Sequence, residues 1–104
     1  MNKLSVIIPS RDEAENLPAC ISEIIEELIK NKILHELLVI DDGSTDNTHE
    51  VVTSMIKKYP DVRYIKNNAE NGFGRAVRLG LNEFNGDAVA IMMADRSDSP
   101  TDLV

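Results

Sequence analysis

Leu37-Leu38-Val39-Ile40-Asp41-Asp42-Gly43-Ser44 runs from four consecutive apolar residues into two carboxylates and a glycine turn. An apolar tetrad suits a strand covered on both faces, and the turn ends it. Beyond it Val51, Val52, Met55 and Ile56 recur at helical spacing until Pro60 stops the pattern. The same unit stands on either side. Upstream, the apolar run Leu4 to Ile8 ends at Pro9, and a helix follows with Asn16 as a candidate cap, Pro18 in its first turn, and an apolar stripe of Leu17, Ile21, Ile24, Ile25, Leu28 and Ile29. Downstream come a short strand, Val62 to Ile65, then a helix with Ala76, Val77, Leu79, Leu81 and Phe84 that Asn85-Gly86 should end, and a fourth strand, Ala88 to Met93, apolar throughout. Four strands alternate with three one-sided helices, and each crossover is long enough for a parallel connection. The expected fold class is α/β, Rossmann-like, a mostly parallel sheet with helices on both faces.

The 104 residues suffice for one compact domain, 1–104. A formal net charge of -7 weighs against nucleic acid as partner, though a metal ion or backbone N–H groups can still hold a small anion. Cys20 is the only cysteine, so no internal disulfide forms. No run reaches the ~18 apolar residues of a membrane span. A cytoplasmic location is expected, with membrane association if a longer chain exists. His35 and His49 have no nucleophile beside them and are expected at the surface or as caps. The dinucleotide glycine fingerprint is absent after the first strand, as is any phosphate-binding loop ending in Gly-Lys-Ser or Gly-Lys-Thr.

Ligands of open parallel sheets lie beyond the carboxyl ends of the strands. There the first strand delivers Ser10-Arg11-Asp12-Glu13, the second Asp41 through Asp46, and the fourth Asp95-Arg96-Ser97-Asp98. Adjacent residues of a strand point to opposite sides, so one of Asp41 and Asp42 can face the cleft while the other braces the loop or caps a helix. A carboxylate there can accept from a nucleobase N–H or a ribose hydroxyl. The alternative is an Asp-Gly turn with capping by Ser44 or Asp46. Asp95 and Asp98 are oxygen ligands suited to Mg2+ or Mn2+, with substrate phosphates completing the shell, although acidic turns are often merely solvated. Asn71-Gly72-Phe73-Gly74-Arg75 opens the third helix, where backbone amides and Arg75 suit an anion such as a diphosphate; turn geometry alone would also explain its glycines.

Val6-Ile7-Ile8-Pro9-Ser10-Arg11-Asp12-Glu13, Val39 through Asp46, and Asn71 through Ala76 followed by an acidic loop together resemble the amino-terminal half of inverting family 2 glycosyltransferases of the GT-A fold. They are most similar to the polyprenyl-phosphate sugar synthases of the dolichyl-phosphate mannose synthase kind. The resemblance implies a UDP- or GDP-sugar donor and a polyprenyl-phosphate or other acceptor. It implies that Pro9, Asp12 and Glu13 wrap the nucleotide, that Asp42 contacts the base with Asp41 supporting it, and that Gly74 and Arg75 run beside the donor. It also matches Asp95 to the last residue of an Asp-x-Asp metal motif whose first position is Met93 here. A thioether is a poor magnesium ligand, so either Asp98 supplies the second carboxylate or metal dependence is weakened. Members of the family continue into an acceptor region with a catalytic base, so this chain is expected to be an incomplete domain and its catalytic residues are unknown. A non-catalytic binding module, self-associating through an exposed sheet edge, is the rival reading. A phosphoacceptor signalling domain fits less well, because a strand and helix precede the acidic pair and the last lysine is Lys66.

Overall fold

The computed structural model describes residues 2–68 and 72–94. Its elements run β1 (Lys3–Ser10), α1 (Leu17–Lys30), β2 (Leu34–Asp41), α2 (Thr48–Lys58), β3 (Val62–Lys66), α3 (Phe73–Glu83) and β4 (Ala88–Ile91). All pairings are parallel, in the order β3-β2-β1-β4. This is the expected α/β arrangement, with the chain stepping outward from β1 in both directions.

Side-chain alternation sorts the core into two layers. Val6, Ile8, Leu37 and Val39 point to one face, where the stripe of α1 and Val52 of α2 cover them. Ile7, Leu38 and Ile40 point to the other, against Ala76 with Leu79 and Phe84. Gly80 lets α3 come this close, since a Cβ there would lie 2.7 Å from Ile7 Cγ2. No described helix is long and apolar enough to cross a membrane.

Four local expectations need correction. His35 is buried within β2, its Nδ1 2.9 Å from the Ile33 carbonyl oxygen, because the strand starts three residues before the apolar tetrad. Asn16 holds the N-cap position of α1 without a side-chain cap bond; its amide donates instead to Glu13. Gly86 is no left-handed helix cap, since Gly43 and Gly72 are the described glycines with positive φ. It is required because a Cβ would meet the Lys3 carbonyl oxygen at 2.7 Å as the chain turns into β4. Finally, β4 ends at Ile91 and not at Met93, although the apolar run continues, and as an edge strand it is exposed at Val89 and Ile91 because α3 packs over β1 and β2.

The end of α1 carries a testable strain. Lys32 N–H donates to Ile29 O and Ile33 N–H to Leu28 O, a Schellman closure with Lys32 at φ 58°. A side chain in that conformation costs about 1 kcal/mol. Lys32→Gly should therefore raise stability by ~0.5–1 kcal/mol, a rise of a few degrees in Tm by thermal melt. An unchanged or lower Tm would count against this reading of the turn.

Candidate functional site

A cleft of about 300 Å³ opens at the carboxyl ends of the strands. Pro9, Ser10, Arg11 and Glu13 enter it from the end of β1, Asp42 from the end of β2, Phe73 from the start of α3, and Met93 and Ala94 from beyond β4. β1 and β2 stay in register to their last residues, and Asp42 N–H still donates to Ser10 O at 2.8 Å. The two loops are thereby fixed side by side.

The adjacent carboxylates Asp41 and Asp42 divide as strand alternation requires. Asp41 turns to the α1/α2 face, where it accepts from Ser44 N–H at 3.0 Å and from the Tyr64 hydroxyl. Burial alone would raise the Asp41 pKa, but the bonds from Ser44 and Tyr64, with the charge of Lys66, hold it below its ordinary value. Burial and then the same carboxylate push the Tyr64 phenol far up. Asp42, 6% exposed, instead lines the cleft. Its Oδ1 accepts from Asn67 Nδ2 at 2.9 Å and its Oδ2 from Gly72 N–H at 2.8 Å. A carboxylate has about four acceptor positions, so two bonds orient it and leave capacity for a ligand.

Asp12 does different work. At φ 53° its Oδ1 accepts from Thr45 N–H at 2.6 Å and Asp46 N–H at 3.2 Å, while its own N–H donates to Ser44 Oγ. It staples the loop after β1 to the loop after β2 and is not among the residues lining the cleft. Asp46 completes the staple, accepting from Thr48 N–H at the start of α2 and from Ala14 N–H. The Thr48 hydroxyl is the main cause of its lowered pKa.

Of the residues singled out from sequence, then, Pro9, Glu13 and Asp42 line the cleft, and Asp41 and Asp12 brace its walls. Gly74 and Arg75 lie on the exposed first turn of α3, outside the lining. Asp95 and Asp98 lie outside the described residues. Among the described residues no group of three His, Cys, Asp or Glu side chains could hold a metal. Met93, which does line the cleft, carries a thioether, a poor ligand for a hard cation that prefers oxygen. The described part of the site therefore does not by itself fit Mg2+ or Mn2+. Sequence reasoning did not single out the Asn67 and Gly72 clamp on Asp42, whose signal was a polar residue directly after β3, or Phe73.

The chain has counterparts among known proteins. The family model described as glycosyl transferase family 2 matches residues 5–103. The chain is 39% identical over 98 residues to a dolichol-phosphate mannosyltransferase of Pyrococcus furiosus, covering 94% of this chain and 27% of the relative. It is 38% identical over 85 residues to a dolichyl-phosphate beta-glucosyltransferase of Dictyostelium discoideum, covering 75% and 26%. A mannosyltransferase from Pyrobaculum calidifontis, solved in complex with GDP-Man and Mn2+, superposes with a TM-score of 0.79 at 27% identity over 90% of this chain and 28% of that one. The chain thus spans about a quarter of the length of each of these proteins.

Proposed function

Because the chain belongs to glycosyl transferase family 2, we propose that its cleft binds the nucleoside diphosphate end of a UDP- or GDP-sugar and forms the donor half of a longer inverting glycosyltransferase. The observation that carries the proposal is Asp42, an oriented carboxylate with spare acceptor capacity in a cleft at the strand ends. The named relatives that act on dolichol phosphates favour a polyprenyl phosphate as acceptor.

In such a transfer the acceptor oxygen attacks the anomeric carbon as the bond from that carbon to the diphosphate breaks and the nucleoside diphosphate leaves; a hydroxyl acceptor gives its proton to a base, whereas a phosphate acceptor attacks through an oxygen that is already ionised. Pro9 and Glu13 would flank the nucleotide, and Asp42 would accept from its base or ribose. Asp12 and Asp41 would keep these loops in register. No described residue is assigned as the base. A Mg2+ or Mn2+ ion accompanying the diphosphate would draw its ligands from Asp95 and Asp98.

Calorimetric titration with UDP-glucose, GDP-mannose, UDP and GDP, with and without Mn2+, tests the reading. Saturable binding of a sugar nucleotide and its diphosphate, tightened by Mn2+, is expected. Silence from every nucleotide at millimolar concentration would overturn the donor-site reading, and binding without transfer by the complete protein would favour a non-catalytic module.

A further inference from the structure

We infer that Phe73 is the stacking platform for the donor's base, and hence the residue that makes the cleft selective for a nucleoside diphosphate over a bare diphosphate. The inference rests on the donor reading of the cleft and adds to it the residue that recognises the base.

Phe73 is 55% exposed although it stands at the start of an amphipathic helix whose Ala76 is buried. Of the large apolar side chains exposed among the described residues, Phe73 is the one that lines the cleft and the one that is aromatic. The surface around it is cleared by its neighbours. Among the described residues, no heavy atom lies within 4 Å of where a side-chain carbon at Gly72 or Gly74 would stand, so neither flank of Phe73 is crowded by them.

Its position is also fixed. Gly72 adopts φ 147°, which side-chain-bearing residues rarely reach, and its N–H is held by Asp42 Oδ2 at 2.8 Å. One carboxylate thus orients the turn that presents the ring and itself borders the same cleft. A planar base lying on the ring could turn its N–H edge toward Asp42. Every nucleobase has a face to stack, so the platform accepts either UDP or GDP, whereas pyrophosphate has nothing to place there.

The chain contains no tryptophan, so Phe73→Trp introduces a unique fluorophore at the platform. UDP and GDP should quench it and bind with near wild-type affinity, while pyrophosphate should leave the emission unchanged. Phe73→Ala should raise Kd for UDP and GDP about tenfold or more, with pyrophosphate affinity unchanged. Wild-type nucleotide affinity in Phe73→Ala, or an equal loss for pyrophosphate, would overturn the platform while leaving the donor site standing. Failure of the wild-type chain to bind any nucleotide would overturn both.

Discussion

Glu36→Ala should cost about 3 kcal/mol of folding stability, a large fraction of the ~5–15 kcal/mol that holds a typical domain together. Glu36 is 3% exposed at the end of the sheet opposite the cleft. Its Oε2 accepts from Ser5 Oγ at 2.6 Å and from Asn85 N–H at 2.6 Å, and its Oε1 lies 3.3 Å from Arg63 Nη1. Strand register puts Ser5, Glu36 and Arg63 on the face that α3 covers, and Arg63 also donates to Glu83 O at the end of that helix. The carboxylate therefore joins β1, β2 and β3 to the turn between α3 and β4. Its removal leaves the buried Ser5 hydroxyl without that acceptor, at ~1–3 kcal/mol, and also removes the charge-assisted bond from the N–H of the exposed Asn85. The Arg63 side chain, 35% exposed, can rehydrate and adds little. Urea unfolding followed by far-UV circular dichroism measures the loss, and a variant within ~0.5 kcal/mol of wild type would refute the role.

The same group gives stability a pH dependence of definite sign. Burial raises the pKa of Glu36, but the bonds from Ser5, Asn85 and Arg63, with the charge of Lys3, outweigh it and leave the folded value below the ordinary one. Stability from such a group is fully present above the unfolded pKa of ~4.3 and is lost as pH falls through the folded value. Asp41 acts in the same direction. The wild-type chain should weaken steeply on acidification below that range, and Glu36→Ala should weaken less over the same interval.

The parallel sheet was legible because each largely apolar run is bounded by turn residues and each helix shows one stripe. These are local patterns, and the crossovers between them admit few topologies. The division between Asp41 and Asp42 follows from strand alternation, but which of them faces the cleft depends on partners distant in sequence, Tyr64 for one and Asn67 and Gly72 for the other. The Glu36 cluster was illegible for the same reason, since Ser5 and Asn85 reach it from 31 and 49 residues away. Gly86 shows how a correct boundary can have an unexpected cause: turn chemistry marked the end of α3, whereas backbone crowding against Lys3 is what requires glycine. Asp12, which the motif matches to the loop that wraps the nucleotide, has a local role that only the fold reveals, since its Oδ1 accepts from two N–H groups of the neighbouring loop.

Asp42→Ala should weaken UDP or GDP binding about 100-fold, an effect near 2.7 kcal/mol. Two losses combine. A hydrogen bond to a charged acceptor contributes ~1.5–3 kcal/mol, and alanine removes it from the base or ribose. The substitution also frees Gly72 N–H and Asn67 Nδ2, which Asp42 holds at 2.8 and 2.9 Å, so the turn presenting Phe73 loses its anchor. Asp42→Asn separates the contributions, since an amide retains one acceptor oxygen and nearly the same shape but turns a donor toward one of two donors. Its affinity should fall between those of wild type and Asp42→Ala. The unfolding midpoint of Asp42→Ala should drop as well, so affinities must be compared at a temperature where all three proteins are folded. Pyrophosphate is the decisive control. Its affinity should change far less than that of UDP or GDP, because the proposed contact lies on the nucleoside. Equal losses for pyrophosphate and the nucleotides would mean that Asp42 only maintains the loops, and the nucleoside contact would then have to be sought at Glu13 or Arg11, the other charged side chains among the described residues that line the cleft.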